Sequence, residues 1–291
     1  MHGKKAALAW SFIHTFADTL EEKILLRFNE MSYLFWINVF VGTFVTISAL
    51  IGGIEMSWIS FLVIIVYTLA MIGGNVCYAK AIQMVPISLA NLIDSGSLFI
   101  ILICDVCLGY IKPKFIFILL FCIFFLSVYI FSKETDKMKE EITNKKVNLK
   151  GIFILITSTI FYASEPYFIK LANAKGANEF GINAAFYFIA IPFYFLWIKL
   201  KKQPLLDVKK EERKSFFKDM IILAVLYAIT DILALTAYVG ETPILVSLIF
   251  KLQVFFIVIL AVIRRTDKMN WKKTLALIVG MISIILMSFV S

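Results

Sequence analysis

VPISLANLIDSGSLFIILIC (85–104) and TPILVSLIFKLQVFFIVILA (242–261) lie over one another without a gap at an offset of 157 residues. Each is apolar over the length of a bilayer crossing, which takes about 20 helical residues. Each opens on a proline, Pro86 or Pro243, at the first helical position, where a missing N–H leaves no bond unmade; Thr242 is the expected N-cap. Each also carries one charge in its middle, Asp94 in the first stretch and Lys251 in the second, both eight residues past the proline. That is about 12 Å along a helix, close to mid-depth in a membrane. An intramembrane charge costs about 2.5–3.5 kcal/mol on insertion scales, so a carboxylate and an ammonium at matched depth call for one another.

The rest of the chain has the composition of a membrane protein. It is 61% hydrophobic and 17% charged over 291 residues, with a mean hydropathy of +0.89. Soluble domains run nearer half apolar and a quarter charged. Ten apolar segments stand out, at 5–26, 31–52, 57–80, 86–109, 114–132, 151–172, 179–199, 219–239, 243–263 and 272–290. The first ends in DTLEEK rather than a small-residue cleavage site, which favours a retained helix over a signal peptide. The offset of 157 aligns segments 3 to 5 with 8 to 10, and an offset of 147 places TFADTLEEK (15–23) over YASEPYFIK (162–170). The expected organisation is therefore all-α, with a five-helix repeat over 1–132, a charged loop over 133–150 and a second five-helix repeat over 151–291. Five crossings are an odd number, so the second repeat enters the membrane from the opposite side. Inverted repeats are a signature of secondary transporters, with the solute site near the midplane between the halves.

Several of these features resemble the drug/metabolite transporter superfamily in its EamA-like branch. They are the five-plus-five plan, a helix-ending lysine in segments 1 and 6 (Lys23 and Lys170), and the A-x-x-x-x-P step in AKAIQMVPISLANLI (79–93). TAYVGETPILVSLI (236–249) is a looser match to that step. The resemblance implies a ten-helix fold and a transporter of small metabolites. The chain departs from the pattern at His14 and Asp18 in segment 1, and at YIKPK and RRTDK where an acidic turn is usual.

Charge sets the expected orientation. The termini and even-numbered connectors carry six Lys and Arg, whereas the odd-numbered connectors carry 22. The positive-inside rule puts the odd connectors in the cytoplasm and both termini outside. Because the basic residues lie between apolar segments, the net charge of +9 reads as a topology signal and not as a nucleic-acid surface. Cys77, Cys104, Cys107 and Cys122 lie in apolar runs, and the lone C-x-x-C lacks a second pair or a nearby histidine, so neither a metal nor another cofactor is expected. No Walker A loop, G-x-S-x-G or H-E-x-x-H occurs, and no enzyme is expected.

The candidate site gathers the polar residues inside the apolar segments. For solute binding these are Asp94, Lys251, Asn75, Tyr78, Tyr227 and Asp231, with Asn91 and Ser95 on the face of Asp94. The Asp94–Lys251 pair has two readings: an ion pair that locks the halves, or a split site taking an ammonium at Asp94 and a carboxylate at Lys251. For proton coupling the candidates are Asp18, Glu165 and His14. His14 and Asp18 are four apart and share a helix face, and Glu165 matches Asp18 at the offset of 147. In the small multidrug resistance proteins, similar in repeat plan, a first-helix carboxylate exchanges protons for cations. A carboxylate desolvated in a cavity can carry a coupling proton in the same way.

The function expected is secondary transport of a small polar, amino-acid-like solute by alternating access in the cell membrane. Extrusion of hydrophobic cations is the second reading, and a non-transporting receptor or assembly protein is the rival. Expected partners are the solute, the bilayer and a second copy of the chain as a homodimer.

Overall fold

In a bilayer every backbone N–H and C=O must bond within its own segment, which the apolar runs of this chain achieve as helices. The computed structural model describes all residues except 1, 26–28, 86–89, 91–92, 140–148, 207, 264–269 and 291. Among the described residues every regular element is an α-helix. In chain order these are α1 (His2–Leu25), α2 (Glu30–Gly52), α3 (Trp58–Met84), α4 (Ser97–Cys107), α5 (Phe115–Lys139) and α6 (Leu149–Ala174). Then come α7 (Glu179–Leu200), α8 (Arg213–Gly240), α9 (Pro243–Phe250), α10 (Leu252–Ile263) and α11 (Trp271–Val290). Among them α2, α6, α7, α8, α11 and the Trp58–Ile82 part of α3 are long and apolar enough to cross a membrane. Phe115–Phe131 and Pro243–Ile257 are shorter apolar helices. Side chains on the outer faces, such as Trp58, Phe115, Phe153, Phe188 and Phe289, are exposed, which suits a surface bathed in lipid.

The caps are local. The Asn29 side chain accepts from the Met31 and Ser32 amides to start α2, and Asn178 accepts from the Gly181 amide at 2.7 Å to start α7. Gly53 ends α2 with φ +80°, a conformation that only glycine adopts without strain.

Packing follows four helix pairs: α1 with α8, α3 with α6, α2 with α7, and α5 with α11. Small residues let the backbones approach. A Cβ on Gly73 or Gly74 would lie 3.2 or 3.1 Å from the rings of Phe161 or Tyr162, and the Ser158 hydroxyl donates to the Gly74 carbonyl at 2.9 Å. The Gly73–Gly74 pair thus serves close contact between α3 and α6.

Three expectations are corrected. The charged connector expected to begin at 133 starts as helix, because α5 runs on to Lys139; KETDKMK is rich in good helix formers. Likewise α8 begins at Arg213, six residues before the expected 219, inside the connector read as 199–218. Segments 4 and 9 are not continuous helices. A turn at Gly96 precedes α4, and α9 and α10 are separated at Lys251, whose amide donates to both the Ser247 and Leu248 carbonyls. Gly96 (φ −60°, ψ −20°) and Lys251 (φ −67°, ψ −9°) stay in the right-handed helical region, so each interruption is a one-residue tightening of the helix. Pro86, the first of the two guiding prolines, lies outside the described residues.

Candidate functional site

The breaks flank a cavity of about 380 Å³ whose walls come from α1, α2, α3, α6, α7, α8, α9 and the residues around Asp94 and Lys251. Pockets that hold small solutes are typically about 300–1,000 Å³, so the size fits a small molecule.

On the α1 wall, His14 Nε2 lies 3.1 Å from Asp18 Oδ1, and the Gln253 amide donates to the other Asp18 oxygen. The His14 ring stacks on Trp10 at 4.1 Å, and Trp10 stacks in turn on Phe250 at 3.9 Å. One turn on, Glu21 accepts hydrogen bonds from the Tyr33 hydroxyl at 2.7 Å and the Tyr227 hydroxyl at 2.6 Å. On the opposite wall, Tyr67 donates to Glu165 at 3.1 Å and Tyr187 donates to Asp231 at 2.5 Å. Tyr162 donates to the Asn75 side chain at 2.8 Å. Between the walls the Lys251 ammonium binds the Asp94 carboxylate, with the Asp94 carbonyl 3.5 Å away.

The structure therefore brings Asp18, His14, Asn75, Tyr78, Asp94, Glu165, Tyr227, Asp231 and Lys251 around one space. Ser95 is buried and does not line that space. Asn91 lies outside the described residues. Sequence reasoning left Glu21, Tyr33, Tyr187, Asn183 and Gln253 out of the site, though all five face the cavity. The charge of Glu21 inside the first apolar segment was the available signal. Tyr33 and Tyr187 carry none, since tyrosines are common at membrane interfaces.

Asp105 was also missed. It is fully buried and accepts from the Tyr167 hydroxyl and from the Ile244 amide, each at 2.8 Å. Thr242 occupies the N-cap position of α9, but its side chain makes no capping bond there. The carboxylate from α4 caps α9 across space instead, and Tyr167 in α6 holds α4, its one hydroxyl proton shared between Asp105 and the Ile101 carbonyl at 2.9 Å.

Residues 149–289 match the EamA-like transporter family. The match falls on the second half, although the A-x-x-x-x-P step reads more clearly in the first. A solved crystal structure superposes with a TM-score of 0.71 at 12% identity, covering 99% of this chain and 95% of its own. At that identity the likeness is one of fold. No curated protein matches the chain.

Proposed function

Since residues 149–289 are an EamA-like transporter domain in a multi-pass membrane protein, we propose that the chain is a secondary transporter working by alternating access. Its solute is small and polar, bears an ammonium group, and binds in the central cavity. The observation that carries this reading is a polar cavity lying between helices of both halves, with Asp94 and Lys251 at two helix breaks. Helices interrupted beside a cavity between the halves are a recurring feature of such sites.

The packing supports the inverted repeat. Exchanging the halves turns the α1–α8 pair into α6–α3, while α2–α7 and α5–α11 map onto themselves. All four pairs survive the exchange, which is what a two-fold axis through the cavity requires. An odd number of crossings per half calls for this axis to lie in the membrane plane, and the Lys and Arg bias supports connectors around 133–150 and 199–218 in the cytoplasm.

Coupling to protons is assigned to Glu165 and Asp18, with His14 as the neighbour of Asp18. In the expected cycle a proton and the solute ammonium compete for the same carboxylates. Glu165→Gln should abolish accumulation driven by a pH gradient in proteoliposomes, while solute exchange without a gradient persists. Unchanged gradient-driven accumulation in both Glu165→Gln and Asp18→Asn would remove these residues from coupling.

The second reading, export of hydrophobic cations, is favoured by one observation: Asp94 already occupies Lys251, the ammonium that an amino-acid carboxylate would need. The rival of a non-transporting receptor or assembly protein fits a sealed, charge-paired core better than it fits this cavity.

A further inference from the structure

The balance of charge in the cavity bears on the chemistry of the solute. Asp18, Glu21, Asp94, Glu165 and Asp231 face the space against Lys251 and His14. Lys251 binds Asp94, and His14 lies against Asp18. Glu21, Glu165 and Asp231 are instead held by the hydroxyls of Tyr33, Tyr227, Tyr67 and Tyr187. A phenol supplies a hydrogen bond but no positive charge. Among the described residues, the only Lys or Arg facing the cavity is the one already bound to Asp94.

Resting on the reading of this cavity as the transport site, we propose that its solute is a small organic cation without a carboxylate: an amine or guanidine with a flat or apolar body, and not an amino acid. An independent observation also points to a ligand. Asn183 is only 6% exposed and faces the cavity, yet its side-chain Nδ2 has no hydrogen-bond partner, and His14 Nδ1 also lacks one. Buried polar atoms are nearly always partnered, so Asn183 Nδ2 marks where a ligand's hydroxyl or carbonyl oxygen would bond. His14 Nδ1, the acceptor when Nε2–H donates to Asp18, marks where a ligand's N–H would. Trp10, stacked on both His14 and Phe250, gives the cavity an aromatic lining together with Phe186 and Tyr238, which suits an apolar body on the cation.

A carboxylate on the solute would reverse these advantages. It would enter a space already rich in carboxylates, or draw Lys251 away from Asp94 and leave Asp94 uncompensated. The site discriminates by repulsion as well as by attraction.

The test is calorimetric titration of the purified full-length protein in lipid nanodiscs with two matched pairs, tyramine against tyrosine and agmatine against arginine. Within each pair the cation body is shared and only the carboxylate differs. At least one amine should bind tenfold or more tightly than its amino acid. Its affinity should fall tenfold or more in Asp231→Asn, with melting temperature and monodispersity checked on the same sample. Lys251→Met should tighten amine binding, since it frees Asp94 for the solute, and its melting temperature is read on the same sample. Amino acids binding as tightly as the amines, or no binding by either amine, would overturn the proposal. Flux of both amino acids in proteoliposomes separates the outcomes. If they bind and move, the cavity is a transport site for another solute class. If they bind and no solute moves down a pH or solute gradient, the transport reading fails with it.

Discussion

Asp94 and Lys251 keep side-chain exposures of 31% and 16% while bound to each other, so the pair is buried enough to need its partner and open enough to be tested by solvent. Removing one member of a buried pair typically costs about 3–5 kcal/mol, and the cavity should reduce this to about 3 kcal/mol or less. Asp94→Asn and Lys251→Met are therefore each expected to lower the melting temperature. The exchange Asp94→Lys with Lys251→Asp should restore it, and equal stability of all three variants would show that the pair holds nothing together. This pairing was legible in the sequence because both charges stand eight residues past aligned prolines. The phenol–carboxylate bonds were not. Tyr227 reaches Glu21 across 206 positions, and Tyr187 reaches Asp231 across 44. No helical period encodes such contacts, which depend on how α1, α7 and α8 are packed.

The start of α9 shows how an element can be recognised for an incomplete reason. Pro243 and Thr242 mark the helix start, but the acceptor for the Ile244 amide is Asp105, 139 residues away. Leaving a buried donor unpaired costs about 1–3 kcal/mol. Asp105→Ala should destabilise the protein by about that much or more, because Tyr167 also loses its acceptor, whereas Thr242→Ala should change stability by less than about 0.5 kcal/mol. Thermal unfolding of the two variants in one detergent decides between them. A similar test applies to α7. A Cβ on Gly181 would sit 2.6 Å from the Glu55 backbone carbonyl, which has little room to retreat. Gly181→Ala should cost about 1–3 kcal/mol; an unaltered melting temperature would mean that the connector before α3 yields freely. The segment list anticipated where helices occur, since apolar length governs that. It missed the breaks at Gly96 and Lys251, because a turn within an apolar run leaves no change in hydropathy.

For the molecule as a whole, orientation is the most accessible unknown. On a background lacking Cys77, Cys104, Cys107 and Cys122, Lys133→Cys and Lys209→Cys should resist an impermeant maleimide in intact cells and react after permeabilisation. Lys175→Cys, on an even-numbered connector, should react in both. The reverse pattern would place the termini in the cytoplasm. The central ion pair has one further consequence, for how two such halves recognise each other. If the first half associated with a copy of itself about the proposed axis, two Asp94 carboxylates would face one another; two copies of the second half would oppose Lys251 with Lys251. Like charges at the join penalise either homotypic assembly, so the mixed assembly is favoured. Residues 1–139 and 149–291, produced together as separate chains with different tags, should therefore co-purify as a one-to-one complex. Lys251→Asp should abolish that preference, a result in which a single side chain decides whether a split protein finds its complement.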